Sequence, residues 1–418
     1  MVEYNLNSIG SITSVTVNET VIASALDYEP FGDLASMDFN QNGITTTITH
    51  NYRYGIDRIQ SGTTIVDRKY THDFNGNITY IKPNDSLPSM PDLVTRTDNY
   101  TYVTDKDWID GITEGSTVYQ YTYDANGNIT SDGRHTYVYN EQNQLYRVLD
   151  GQTVLGEYTY NVKGQRVKKV ASSTTIYHYD LMGNLIQETN QSGGVIVSYV
   201  YAGMNRLAKV ESSGAIYYYH NDHLGTPLAM TDSTGTIVWK AAYNPFGKAE
   251  VDPSSTVTNN FRFPGQYYDS ESGLYYNWYR YYDPGTGRYV TADPIWLSEE
   301  ANLYTYARNN PNTFIDPQGL KGCGPGSGFK EWIIPDFPFG LNFLKCCNKH
   351  DDCYGCEGKA LGKNRRDCDL EFCKCLIKVY LSEWGFLRNV GPLTPIAYCL
   401  GVIGLGEGPF NSARQCCP

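Results

Sequence analysis

The first 322 residues contain no cysteine, which excludes a disulfide framework from three quarters of the chain. Long apolar runs are missing too. Nothing approaches the roughly 18 consecutive apolar residues of a membrane-spanning helix, and Val2, Glu3, Tyr4 and Asn5 after Met1 read as strand and turn. Neither a transmembrane span nor a Sec signal peptide is therefore expected. Positive charge is scarce: 33 Lys and Arg stand against 45 Asp and Glu, a net charge of −12. An acidic surface of this kind argues against nucleic acid as a partner.

What is present is unevenly placed. All 11 cysteines lie between Cys323 and Cys417, whereas only three of the 37 tyrosines follow Tyr306. From Lys321 onward the chain carries 12 basic and 10 acidic residues, against 21 and 35 before it. Three independent properties change near residue 320. The expected organisation is a β-shell over 1–255, a closing core over 256–320, and a small disulfide-stapled α-helical module over 321–418. Eleven cysteines without an export signal imply secretion by a dedicated route, with oxidation after delivery.

Residues 50 to 250 carry an internal repeat built from a Tyr-x-Tyr pair, then Asp or Asn, then Gly three residues on. Tyr121, Tyr123, Asp124 and Gly127 form one unit; Tyr158, Tyr160, Asn161 and Gly164 another; Tyr177, Tyr179, Asp180 and Gly183 a third. With Tyr139, Tyr201 and Tyr219 included, the second tyrosines are spaced 16, 21, 19, 22 and 18 residues apart. Alternation places both rings of a pair on one strand face, and the Asx-x-x-Gly after them supplies a turn. Such hairpins cannot bury a face alone and must stack into a long winding sheet. The tyrosines are expected to pack rather than to bind a ligand. The repeat does not assign residues 1 to 50, with Tyr28 to Gly32 as a turn, to this sheet.

This pattern resembles the YD repeats of Rhs proteins and Tc-toxin C subunits, which wind into a hollow β-shell around a toxin. The resemblance sharpens through Phe263, Pro264, Gly265 and Gln266, then Tyr275 to Pro284, Gly287 to Tyr289, Asp293 and Pro294, and ends on Asp316, Pro317, Gln318, Gly319 and Leu320. It is similar to the Rhs-associated core, although Trp296 stands where a small residue is usual and the shell is short for the family. The resemblance implies cleavage of the chain after Leu320 by Asp293 and Asp316, assisted by Arg280. Two carboxylates held close cannot both ionise, so one can act as acid while the other activates water. The plainer alternative is that both Asp-Pro pairs merely start turns.

In the C-terminal module, stretches 341–355 and 364–384 read as helices. Cys346 and Cys353 are seven apart, as are Cys368 and Cys375, two turns on one face. If the helices run antiparallel, Cys346 meets Cys375 and Cys353 meets Cys368. His350 then shares the stapled face and points at the second helix beside Asp369, whose carboxylate can fix the imidazole tautomer and leave the other nitrogen to deprotonate water. The glycine-rich loop from Gly322 offers carbonyls, which with a carboxylate suit calcium, and Cys323 could tie it to Cys347. The Cys-Cys-x-x-His-Asp-x-Cys-Tyr run from Cys346 to Tyr354 resembles secreted phospholipase A2. That resemblance implies His350 as general base, Asp369 as its partner with Tyr354 behind it, and Ca2+ held by Asp351 and the carbonyls of Gly322, Gly324 and Gly326. The Gly324 amide would help hold the oxyanion. The link between Cys353 and Cys368 is short for the family. Cys356 and Cys373 suit an extra bridge, and the partners of Cys399, Cys416 and Cys417 stay open.

Together these imply a toxin whose released module hydrolyses the sn-2 ester of membrane phospholipid in an oxidising compartment. A cognate immunity protein and a secretion or shell-completing partner are expected with it. Three rivals are weighed. A zinc site is disfavoured because adjacent Cys346 and Cys347 project to different faces. A non-catalytic YD-repeat surface protein with a cysteine-rich scaffold tail would show no calcium dependence. Self-cleavage as the sole chemistry would be abolished by Asp316→Asn.

Overall fold

A computed structural model describes residues 1–30, 33–39, 43–52, 55–73, 78–82, 99–104, 106–294, 302–320 and 374–375. Among them, 29 strands stand against one 3-10 turn at Ala307–Asn309 and two helical residues, Lys374 and Cys375. None of the described helices is long and apolar enough to cross a membrane. The chain divides into two compact units. The first comprises Met1–Trp296, Glu300–Asn312 and Asp316–Leu320; the second comprises Leu297–Glu299, Thr313–Ile315 and Lys321–Pro418. In the second unit Cys375 is disulfide-bonded.

The strands of the first unit pair with their chain neighbours, antiparallel, in four sheets. Eight strands from Val2–Leu6 to Ile78–Lys82 make one sheet, and fourteen from Thr122–Tyr123 to Ala249–Val251 make another. Three strands between Asn99 and Gln120 and four between Tyr267 and Tyr289 complete the set. Residues 1 to 50, which the repeat leaves unassigned, thus belong to the eight-stranded sheet.

The repeat explains the fourteen-stranded meander. Each Asx side chain closes its own turn: Asp124 Oδ1 accepts the amides of Asn126 and Asn128, both at 2.9 Å, and Asp180 Oδ1 accepts those of Met182 and Asn184 at 2.9 and 2.8 Å. The fourth position of the turn must be left-handed, with φ of 85° at Gly127 and 88° at Gly183. Where the sequence lacks glycine, Asn143 takes φ 58°, as asparagine tolerates. The second tyrosine of a unit then reaches back to the preceding unit. Tyr139 donates to the Ile129 carbonyl at 2.8 Å, Tyr179 to Arg166 at 2.8 Å and Tyr201 to Leu185 at 3.0 Å. The tyrosines therefore act as rungs between successive hairpins, which is the packing role expected of them.

Two apolar cores result. One face of the meander packs on the eight-stranded sheet through Phe39, Val200, Leu207, Tyr218 and Leu228. The opposite face, rich in Tyr137, Tyr158, Tyr177 and Tyr199, packs on Phe261, Tyr267 and Tyr281 of the closing segment. The Pro227–Thr231 strand is accordingly buried at every position.

Candidate functional site

The closing segment is anchored in the shell by buried charge. The Arg166 guanidinium makes a bidentate ion pair with Asp269, and both side chains are almost wholly inaccessible. Lys169 bonds Asp269 at 2.9 Å and Glu271 at 3.2 Å, while Tyr158 donates to Glu271 at 2.9 Å. A buried cation needs such partners to offset its desolvation. The Arg166 charge also lies within 4.4 Å of the centre of the Tyr276 ring and 5.0 Å of Tyr177. Turn glycines provide further seats. A Cβ on Gly183 would lie 2.2 Å from Trp278, and one on Gly164 would lie 2.6 Å from Tyr279. These seats bring the Tyr275–Asn277 and Arg280–Asp283 hairpin against the meander.

That hairpin grips the turn at residues 316–320. Asn277 and Arg280 are directly paired across its two-residue tip. Asn277 Nδ2 donates to the Asp316 carbonyl at 2.8 Å, Tyr279 N to the Gln318 carbonyl at 3.1 Å, and Arg280 Nε to the Gly319 carbonyl at 2.5 Å. Gly319 takes φ 70°, and a Cβ there would meet the Asn277 carbonyl at 2.5 Å. Leu320 is buried, and its amide donates to Asp316 Oδ1 at 2.8 Å.

Asp293, Asp316 and Arg280, grouped by the family resemblance, lie together in the structure. Arg280 Nη2 lies 3.1 Å from Asp293 Oδ2 and 3.3 Å from Asp316 Oδ2, so one nitrogen serves both carboxylates. Arg280 is 2 % exposed at its side chain, Asp316 10 % and Asp293 17 %. Burial pushes the Asp316 carboxyl up to about 6, against the lowering effects of Arg280, of the Tyr289 hydroxyl and of the Leu320 amide; Asp293 adds to the rise. The arrangement therefore offers a carboxyl group that is half-protonated near pH 6, a second carboxyl group, and a fixed cation between them.

Sequence reasoning missed two members of the cluster. Tyr289 OH donates to Asp316 Oδ2 at 2.7 Å, and Asn277 Nδ2 donates to Tyr289 OH at 2.8 Å. Both residues lie within the core motifs of the closing segment, but their tyrosine-rich surroundings gave no reason to single them out. His350, Asp369, Asp351, Gly322, Gly324, Gly326, Tyr354 and Trp296 lie outside the described residues. Among the described residues no group of three or more His, Cys, Asp and Glu could hold a metal ion.

Comparison with known proteins gives the same outline. Residues 18–312 match the family model for the teneurin YD-shell. A tRNA3(Ser)-specific nuclease WapA of Bacillus spizizenii is 36% identical over 212 residues, covering 47% of this chain and 9% of its own. Double-stranded DNA deaminase toxin A of Burkholderia cenocepacia is 30% identical over 250 residues, covering 49% of this chain and 17% of its own. This chain thus spans less than a fifth of the length of either. The solved structure of the Photorhabdus luminescens Tc holotoxin pore superimposes over 76% of this chain and 20% of its own, with a TM-score of 0.56 at 19% identity, a likeness of fold. By its repeats, its sheet and its family match, the chain belongs to the teneurin YD-shell family, the YD-repeat shells found in Rhs-type polymorphic toxins.

Proposed function

We propose that this chain is the self-cutting carrier portion of a polymorphic toxin, and that the module beyond Leu320 is a calcium-dependent phospholipase A2. The carrier reading rests chiefly on one observation: Arg280 Nη2 bridges Asp293 and Asp316 while Asp316 also holds the Leu320 amide. Asp293 takes a proton from water as its oxygen attacks the Leu320 carbonyl carbon. Protonated Asp316 gives its proton to the departing Lys321 nitrogen. The carbon–nitrogen bond breaks; the new Leu320 carboxyl passes its remaining proton to the Lys321 amine, leaving a carboxylate and an ammonium, with Asp293 protonated and Asp316 ionised. Arg280 balances charge on the carboxylate pair and holds the Gly319 carbonyl, so the substrate strand cannot shift. Relatives named as a tRNA nuclease and as a DNA deaminase toxin support delivery of an enzyme by such a carrier. Their activities differ from each other, so the released chemistry must be argued from this chain's own last hundred residues.

Those residues support a lipase. The run from Cys346 to Tyr354 resembles that of secreted phospholipase A2, and on that resemblance His350, paired with Asp369, would be the base that activates water. By the same resemblance, Asp351 and the carbonyls of Gly322, Gly324 and Gly326 would supply oxygen donors, the donor type a hard cation takes. Calcium, when bound, supplies positive charge beside the ester carbonyl. The Gly324 amide would help hold the developing oxyanion, and disulfides among the 11 cysteines would hold the module together in an oxidising compartment outside the producer. An immunity protein and a shell-completing or secretion partner belong to the same reading.

Two measurements on the full chain test it. Mass spectrometry and N-terminal sequencing of the purified protein should find a fragment beginning at Lys321, absent from Asp293→Asn and Asp316→Asn; an intact wild-type chain refutes the carrier reading. Oxidised protein mixed with phosphatidylglycerol vesicles should release the sn-2 fatty acid with calcium, and not with chelator or as His350→Ala. Calcium-independent release, or none, refutes the lipase reading.

A further inference from the structure

We infer that Tyr289 and Asn277 are positioning residues for scission at Leu320, forming a directed hydrogen-bond relay that ends on Asp316. The inference rests on the self-cleavage proposed above. Each step of the relay is a hydrogen bond of 2.7 or 2.8 Å. Asn277 is fully buried and its Nδ2 uses both hydrogens, one on the Asp316 carbonyl at 2.8 Å and one on the Tyr289 hydroxyl at 2.8 Å. The hydroxyl, accepting from Asn277, donates its own hydrogen to Asp316 Oδ2 at 2.7 Å. Reversing the Asn277 amide would aim its oxygen at a carbonyl, so the direction of the relay is set by the fold.

The effect is to fix Asp316 at three points. Its carbonyl is held by Asn277, its Oδ2 by Tyr289 and Arg280, and its Oδ1 by the Leu320 amide. A carboxyl so held cannot rotate about its side chain, and its two oxygens keep distinct roles. Oδ2 faces the charged partners and Oδ1 faces the chain to be cut. The Tyr289 ring lies 3.6 Å from the Arg280 guanidinium carbon and 5.8 Å from the Tyr306 ring, so the phenol itself has little freedom. The groups facing Asp316 are thus Arg280, Asp293, Tyr289 and the Leu320 amide.

Removing the hydroxyl predicts two separable effects. Scission should slow because Asp316 is no longer aimed. The pH profile should also shift, because the hydroxyl favours the ionised carboxylate; without it Asp316 keeps its proton to higher pH, and the alkaline limb moves up. Purified Tyr289→Phe chain should cut at the same bond about tenfold more slowly at the optimum, as expected for a lost hydrogen bond to a charged group. Tyr282→Phe is the control: that buried hydroxyl donates to the Phe246 carbonyl at 2.6 Å and leaves the relay intact. It should leave the pH profile at wild type. A Tyr289→Phe profile superimposable on wild type overturns the inference while leaving self-cleavage standing. An equal shift in Tyr282→Phe also overturns it, since general loosening of the core would then suffice. A wild-type chain that never cuts overturns both this inference and the reading beneath it.

Discussion

Replacing Asp316 with asparagine should abolish scission and, at neutral pH, make the protein more stable. Burial raises the Asp316 carboxyl from an ordinary 3.8 to about 6. Its folded pKa therefore exceeds its unfolded one, and the native state binds more protons between those values. The carboxyl's contribution to stability is fully present below about pH 4 and is lost as pH rises through about 6. At about 1.36 kcal/mol per pKa unit, the loss at pH 7.5 is about 3 kcal/mol. Asparagine never ionises and escapes it, but cannot accept from both Tyr289 and the Leu320 amide while facing Arg280, which costs about 1–1.5 kcal/mol. The expected net is about 1–2 kcal/mol of added stability at pH 7.5, turning to a loss of about 1 kcal/mol at pH 3.5. The comparison belongs in an Asp293→Asn background, where neither chain is cut, by urea unfolding monitored through far-UV circular dichroism at both pH values. A loss of equal size at both would refute the reasoning, because it would mean that Asp316 is held as an ordinary structural carboxylate.

The same geometry makes further predictions. Arg280→Lys keeps a charge but cannot bridge Asp293 and Asp316 while also holding the Gly319 and Leu303 carbonyls. Gel densitometry should show scission slowed at least about 100-fold. Asp269→Ala strands the buried Arg166 charge and should cost about 3–5 kcal/mol in urea unfolding. The double change Asp269→Leu with Arg166→Met should cost much less, since no unpaired charge remains. Gly183→Ala places a methyl against Trp278 at positive φ, and a lowered melting temperature should report its effect on seating of the hairpin.

The shell was legible because its signals are local and repeated. A Tyr-x-Tyr pair, an Asx that caps its own turn and a glycine three residues on each dictate structure within a few residues of themselves. The pairing of Asp293, Asp316 and Arg280 was legible only through resemblance, since nothing in their spacing brings residues 280, 293 and 316 together. Arg166 was not legible at all. Its partner Asp269 lies 103 residues away, and one arginine in a strand of alternating polarity reads as a solvated surface residue. Tyr289 and Asn277 were hidden for the opposite reason: among so many packing tyrosines, one that ends a relay looks like the rest. The eight-stranded sheet over residues 2–82 carries few of the tyrosine pairs, so the sequence places this stretch in the β-shell without giving its pairing or its separation from the fourteen-stranded sheet.

The grip on the turn at residues 316–320 has a consequence for exchange of parts. The contacts that shape that turn come from the Asn277–Arg280 hairpin and Tyr289, and they fall on atoms of Asp316, Gln318, Gly319 and Leu320. A different sequence joined after Leu320 would inherit the same turn, the same acid and the same cation. Under the proposed self-cleavage, the junction would act as a coupling of standard gauge: a sequence exchanged beyond Leu320 would meet the same scission geometry without any change to Asn277, Arg280, Tyr289 or Asp316.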